Sequence, residues 1–276
     1  MPLDFDPGPD LDAKLTSVEA EVQYVAQPTA PLFSYTYDPP EGRPLSNAVG
    51  ETVRVRIRDA RPIRDRLMLD MEGFAFARHR SAVRDFHDDA EVGVAGHDEV
   101  ARLVQAATGA GRVVVFDHTF RSRRPGAARG PATRVHNDYT EESGPQRVRD
   151  LMGGEAEALL QKRFAFINVW RPVSHPAVDW PLAVCDARST AQEDFIPTEL
   201  IYPDRRGEVY AAVHTPAHRW FYFPAMQLDE AVLIKCYDSS PDVARFTLHT
   251  GFADPTTPPD APLRESMEFR AIAFFD

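Results

Sequence analysis

The chain has 276 residues, 43% hydrophobic and 26% charged, an ordinary globular composition with ample apolar side chain for a sizeable core. Lys and Arg number 31 against 42 Asp and Glu, and the resulting formal charge of -11 argues against a nucleic-acid binder, which carries a basic face. Cys185 and Cys236 are too few for a disulfide framework, and their apolar settings, PLAVCDA and VLIKCYD, predict buried free thiols. No apolar stretch approaches the roughly 20 residues of a membrane span. The opening MPLDFDPGPD lacks the basic and apolar regions of a secretory signal, so a cytoplasmic, reducing compartment is expected.

In chain order, residues 1–50 are rich in Pro and Asp, with Phe33, Tyr35 and Tyr37 scattered among them. They read as an extended arm laid over a single domain that fills residues 51–276. TVRVRIRDA (52–60) alternates apolar and polar residues and predicts a strand. Gly73, Phe74 and Phe76 open a second extended piece. Val100, Leu103, Val104 and Ala107 recur at helical spacing, with Gly109 and Gly111 as the stop. VVVFDHTF (113–120) reads as a buried strand, followed by a Gly/Pro loop in which Arg121, Arg123 and Arg124 are expected to be solvated.

RVHNDYT (134–140) comes next. Ser143, with Pro145 in the first turn, predicts a helix cap, and GEAEALLQKR (154–163) predicts a second helix. The texture then turns to β: RFAFINVWRP, PLAVCDA, GEVYAAV, HRWFYFP, AVLIKCYD, ARFTLHTGF and ESMEFRAIAFF are short apolar runs separated by turn residues. Strands at this spacing predict a mainly β, α+β fold with a jelly-roll, cupin-like double-stranded β-helix core. The helical insert near 143–163 and the N-terminal segment are the natural candidates for a lid.

His136-Asn137-Asp138 raises the chemical question. Residues two apart leave the same side of a strand, so an imidazole and a carboxylate at that spacing can converge on one ion. Two His and one carboxylate with open positions form the usual non-haem Fe(II) set. His249, in ARFTLHTGF, supplies a third ligand on a late strand. Arg264 follows on the next strand, suited to a charge-assisted contact with the far carboxylate of 2-oxoglutarate. By period two, Arg264, Ser266, Glu268 and Arg270 form a polar row on the last strand.

Rival sites are weaker. His87-Asp88-Asp89 lies in a polar stretch ahead of the first helix and suits surface or helix-entry hydrogen bonding. His214 and His218 remain alternatives to His249, although neither is followed by an Arg on a new strand. His118 reads as a satisfied strand histidine. Asn168 and Trp170 share one strand face and are candidates for the pocket lining, with core packing the competing reading for Trp170. Asp238 suits the start of the turn that runs on through Ser239, Ser240 and Pro241, and Tyr222 and Met226 suit the core.

Several blocks point further: GFAFARHRSAVRDFHDD (73–89), VVVFDHTFR (113–121), RVHNDYT, FINVWRP (166–172), WFYFPAMQLDEAVLIKCYDSS (220–240), and ARFTLHTGF followed by LRESMEFRA. Together they resemble the AsaB/CmcJ-like family, in order, over roughly residues 33 to 276. The resemblance implies an Fe(II)/2-oxoglutarate-dependent dioxygenase of secondary metabolism. Such an enzyme uses O2 to hydroxylate or desaturate a small-molecule C–H bond, with succinate and CO2 as co-products. Carried over, His136, Asp138 and His249 become the iron ligands. Arg264 with Ser266 becomes the 2-oxoglutarate site, Arg270 being the alternative and Asn168 a further contact. Tyr139 and Trp170 become candidates for substrate contact, Tyr139 at the pocket mouth or packed on the 143–163 helices. The implied partner is a small-molecule substrate for a monomer or homodimer. A non-catalytic jelly-roll binding protein and a cupin-like metal enzyme without cosubstrate are the competing functions.

Overall fold

In the computed structural model of the protein, which describes residues 14–276, strands begin inside the segment expected to be an arm. β1 (Ser17–Val25) and β2 (Leu32–Tyr35) belong to the larger of two sheets. β1 pairs antiparallel along its whole length with β3 (Gly50–Asp59). It alternates exposed Glu19 and Glu21 with buried Ala20 and Val22. That alternation is the ordinary strand signal, masked by the prolines that follow it. A strand bonded along its full length is not a free lid; the first 13 residues of the expected arm lie outside the described residues.

The chain continues through β4 (Phe74–Arg78), α1 (Asp89–Glu91), a π-helical turn and α2 (His97–Thr108) to β5 (Arg112–Ser122) and β6 (His136–Asn137). Gly109, at φ 70°, closes α2 with a left-handed cap. α3 (Ser143–Met152) and α4 (Ala156–Leu159) form the insert. Thr140, not Ser143 alone, caps α3: Ser143 N donates to Thr140 Oγ1 (3.1 Å) and Thr140 N donates to Ser143 Oγ (2.8 Å). The helix expected over 154–163 shrinks to α4, because turns closing at Leu160 and Lys162 redirect the chain.

The remaining strands are β7 (Phe164–Pro172), β8 (Leu182–Cys185), β9 (Phe195–Ile201), β10 (Arg206–Ala212), β11 (Trp220–Tyr222), β12 (Glu230–Asp238), β13 (His249–Gly251) and β14 (Glu265–Phe274). The nine-stranded sheet runs β1-β3-β11-β8-β13-β6-β10-β9-β2 and the five-stranded sheet β4-β12-β7-β14-β5. Only β3–β11 and β2–β9 pair parallel. This is the expected jelly-roll core, two antiparallel sheets packed face to face.

β7 shows why several strands carry no alternation. Phe166, Asn168 and Trp170 face the other sheet, while Ala165, Ile167 and Val169 face a second apolar layer that includes Val100 and Val104 of α2. All nine residues of β7 are buried, so the strand reads as one apolar run. Cys185 and Cys236 are buried free thiols, as expected, and burial pushes the Cys185 thiol up to about 12. Asp238 starts its turn by accepting from Ser240 N, and also receives Arg163 and Lys235.

The rival histidines are spoken for. Asp88 caps α1 through Ala90 N and Glu91 N, and exposed His87 lies against the Phe120 ring. His118 sits between His97 Nε2 and Asp89 Oδ1, each at 2.9 Å. His218 Nδ1 lies 2.8 Å from the Tyr24 hydroxyl and its Nε2 lies 3.0 Å from Asp194, while Trp220 Nε1 donates to the same hydroxyl. His214 packs its ring edge on Tyr24.

With a neutral imidazole, the His218 network links Tyr24 of β1 to Trp220 of β11 and to Asp194. Asp194 accepts, so Nε2 holds the proton and Nδ1 accepts from Tyr24. Burial lowers the His218 pKa below its ordinary 6.5, against an opposing pull from Asp194. A depressed folded value means that the unfolded chain binds more protons just below pH 6.5, so this contribution is lost as pH falls through that region. In urea melts, the stability lost between pH 7 and pH 5 is expected to be smaller in His218→Gln than in the parent. Equal losses would remove His218 as the cause.

Candidate metal centre

β6 has only two residues because it is wedged between two partners: His136 pairs with Ala211 of β10 on one side and with His249 of β13 on the other. Asn137, pointing away, holds the wedge in place. Its amide donates to the carbonyls of Tyr139 (2.7 Å) and Cys236 (2.8 Å), and its oxygen accepts from Thr247 N (3.1 Å). On the same edge, Val135 N donates to Gln23 O, so β1 braces the segment that carries His136.

Direct cross-strand pairing brings the His136 and His249 rings to 4.3 Å between centroids. Asp138, two residues after His136, completes the cluster. One ligand atom from each of His136, Asp138 and His249 lies within 4.8 Å of the others, the only such group of three His, Cys, Asp or Glu found among the described residues. The tautomers follow from the backbone. His136 Nδ1 lies 2.8 Å from Arg134 O and His249 Nδ1 lies 3.0 Å from Thr247 O. A carbonyl only accepts, so each Nδ1 carries the hydrogen and each Nε2 is left with its lone pair, the arrangement that suits a metal ligand.

His249 Nε2 is buried with no hydrogen-bond partner. His136 Nε2 faces Asp138 Oδ1 at 3.4 Å; against the effect of burial, the carboxylate raises the His136 pKa above its ordinary value, so a proton or a metal cation is favoured between the two. Burial pushes the His249 pKa down to about 4, and the neighbouring His136 adds to this, so the imidazole is neutral at pH 7. Burial alone would raise the Asp138 carboxyl; Arg270 and His136 overcome it and hold the group well below the usual carboxylate range. Two imidazoles and an ionised carboxylate converging at this distance fit a ferrous ion.

The centre opens on a narrow cleft lined by Arg121, His136, Trp170, His249, Arg264 and Glu268, among others. Arg264 is buried, yet no carboxylate pairs with its guanidinium: Nε donates to Ser266 Oγ (3.1 Å) and Nη1 to Trp180 O (2.9 Å). Its charge centre lies 5.0 Å from the Trp170 ring centroid. Burial, then the charge of Arg121, lowers its pKa to about 9. Gly251, two residues after His249, leaves room for this head group; a Cβ there would stand 3.1 Å from Arg264 Nη1.

Of the other expected site residues, Arg270, Asn168 and Trp170 lie at the centre or its cleft and Tyr139 lies in the core. Arg270 spends its donors on Asp138, Asp117, Thr119 and Glu268. The Asn168 amide bridges Asp138 and Glu268. Trp170 lines the cleft, and its Nε1 is buried with no partner. Tyr139 is in the core, stacked on Phe166 with centroids 4.0 Å apart. Of the arginine run, Arg123 and Arg124 are exposed loop residues as expected, although they pair with Asp179 and Glu265 and Arg123 lies over Trp180, whereas Arg121 is half-buried on β5 and pairs with Glu268.

Asp117, Thr119 and Arg121 escaped the sequence reading. They alternate along β5 and stand opposite Arg270, Glu268 and Ser266 of β14. Their signal was a polar residue at every second position of an otherwise apolar strand.

Comparison with known proteins places the chain among iron oxygenases. The chain is 32% identical over 271 residues to the Fe(II)/2-oxoglutarate-dependent dioxygenase nvfI of Aspergillus novofumigatus, covering 94% of this chain and 97% of that protein. It is 32% identical over 281 residues to the hydroxylase/desaturase CTB9 of Cercospora beticola, covering 88% and 86%. A solved structure described as the iron and alpha-ketoglutarate-dependent endoperoxidase NvfI superposes with a TM-score of 0.87 at 32% identity, over 94% of this chain and 98% of that one. A family model described as "Oxidoreductase/YMDC permease-like domain" matches residues 22–274. The chain therefore belongs to that oxidoreductase family and, within it, to the AsaB/CmcJ-like Fe(II)/2-oxoglutarate-dependent oxygenases whose sequence blocks it carries.

Proposed function

We propose that His136, Asp138 and His249 hold the ferrous ion of this dioxygenase, and that Arg264, oriented by Ser266, takes the far carboxylate of 2-oxoglutarate. The observation that carries the reading is the pairing of a converged two-His-one-carboxylate cluster with a buried guanidinium, in direct contact with no carboxylate, along one cleft. A buried cation without a counter-ion is costly, and an anionic ligand relieves that cost. Arg264 rather than Arg270 fits the role because Arg270 is already engaged by three carboxylates.

When bound, iron and 2-oxoglutarate supply the oxidising chemistry that consumes O2 and releases succinate and CO2. The protein's share is positioning and exclusion of water. His249 presents a neutral Nε2 atom, His136 an Nε2 atom whose proton a bound ion would displace, and Asp138 its negative charge. Trp170, Leu182 and Ile234 give the cleft an apolar wall. The unpartnered Trp170 Nε1 offers a hydrogen bond to an oxygen of cosubstrate or substrate. The substrate is a small, largely apolar metabolite that undergoes C–H hydroxylation or desaturation. Tyr139, stacked in the core, supports the wall from behind.

The oxygenase domain runs from β1 to the C-terminus, since β1 and β2 complete its larger sheet. It works as a monomer or homodimer in the cytoplasm; no helix among the described residues is long and apolar enough to cross a membrane.

Calorimetric titration with 2-oxoglutarate, with and without Mn(II), tests the proposal. Metal-dependent binding, together with succinate formation when Fe(II) and O2 are supplied, is the expected result. Metal-dependent turnover that does not need 2-oxoglutarate would point to the cupin-like enzyme. Absence of metal uptake would leave a binding protein.

A further inference from the structure

We propose that Asn168 and Arg270 are positioning residues that hold Asp138 as a one-oxygen metal ligand. The inference rests on the iron reading above and concerns what fixes one member of the cluster. Asp138 lies just beyond a two-residue strand, where little backbone pairing restrains it. Its side chain is aimed instead by the opposite sheet. Asn168 of β7 and Arg270 of β14 are a cross-strand pair, and both reach Asp138.

The contacts divide the carboxylate into two unlike oxygens. Oδ2 accepts from Asn168 Nδ2 at 2.7 Å and from Arg270 Nε at 3.1 Å. Oδ1 faces His136 Nε2 at 3.4 Å. With two N–H donors on Oδ2, one oxygen remains for the ion. The assignment of the Asn168 amide is not arbitrary: its nitrogen sits between Asp138 Oδ2 and Glu268 Oε1, at 2.7 and 2.8 Å, and its oxygen in that place would face two carboxylates. Both amide hydrogens are thereby used. Arg270 is aimed in turn by Asp117 Oδ2 (2.9 Å) and Thr119 Oγ1 (3.1 Å) of β5. The carboxylate is therefore oriented by three strands of the five-stranded sheet, although all three ligands come from the nine-stranded sheet or the residue next to it. Supporting hydrogen bonds of this kind set ligand orientation, and their loss weakens metal affinity about 10–100-fold.

The test is Co(II) binding to the metal-free protein, followed by visible absorption. Asn168→Leu keeps the volume and removes both donors. It is expected to raise the Co(II) dissociation constant about 10–100-fold and to alter the Co(II) spectrum. Arg270→Lys, which keeps the charge and one donor, is expected to lose less affinity than Arg270→Met. If Asn168→Leu does not fold by circular dichroism, Asn168→Ser takes its place in the same comparison. A folded Asn168 variant with parental affinity and spectrum overturns the inference, even if its melting temperature falls, because that pattern marks a merely structural residue. His249→Ala separates this outcome from failure of the site itself. Co(II) uptake undiminished in His249→Ala defeats the iron assignment. Uptake lost there but unchanged in the Asn168 variant defeats only the positioning role.

Discussion

Replacing His249 by alanine is expected to bring 2-oxoglutarate-dependent succinate formation down to background while leaving the chain folded. The two halves of this expectation have one origin. In the metal-free protein His249 Nε2 is a buried polar atom with no partner, so its removal breaks no bond beyond the Nδ1 contact with Thr247 O. The stability cost is then about 1 kcal/mol, typical of a substitution without a large cavity or an orphaned charge. Under the proposed assignment the same atom is one of three that would hold the ion, and its loss would remove the reaction. His136→Ala is expected to abolish turnover as well. It should cost more stability, because His136 also faces Asp138, which would keep only Asn168 and Arg270. Succinate assays beside thermal melts read both effects. Succinate formation retained in either variant rejects the ligand assignment.

Arg264→Met should separate function from stability in the opposite direction. Hydrogen bonds to a charged group contribute about 1.5–3 kcal/mol, so loss of the guanidinium should raise the KM for 2-oxoglutarate by about 10–150-fold. Stability should hold or rise. A buried cation with no carboxylate partner gives way to an apolar side chain of similar length, and such replacements are often neutral or stabilising. The contacts left behind, Ser266 Oγ and Trp180 O, are neutral. A variant that melts earlier and keeps its parental KM would show that Arg264 serves the fold and not the cosubstrate.

How much of this was legible depended on the range of each interaction. The His136–Asp138 pair was readable because two residues two apart on a strand share a face whatever surrounds them. The final strand's polar row, Arg264 to Arg270, was readable for the same reason. The partner of that row on β5 was not recognised, since Asp117, Thr119 and Arg121 gain meaning only when β5 is laid beside β14. Arg123 and Arg124 are solvated as read, but the counter-charges of the run, and the half-buried place of Arg121, were not visible. Glu268, Asp179 and Glu265 supply those charges from distant positions. Tyr139 was placed by its neighbours in sequence, yet its position is decided by Phe166.

Local periodicity and residue chemistry thus determined the mainly β fold class, the His136–Asp138 pair and the polar last strand, because each rests on spacing along strands, while His249 stood as third candidate beside His214 and His218. Tertiary structure alone decided that His249 stands opposite His136, that Arg264 is left without a counter-ion while Arg270 is saturated, and that Asn168 aims Asp138. Those outcomes depend on which strands become neighbours, and strand order is set by packing two sheets around one core, a long-range choice that no window of sequence contains.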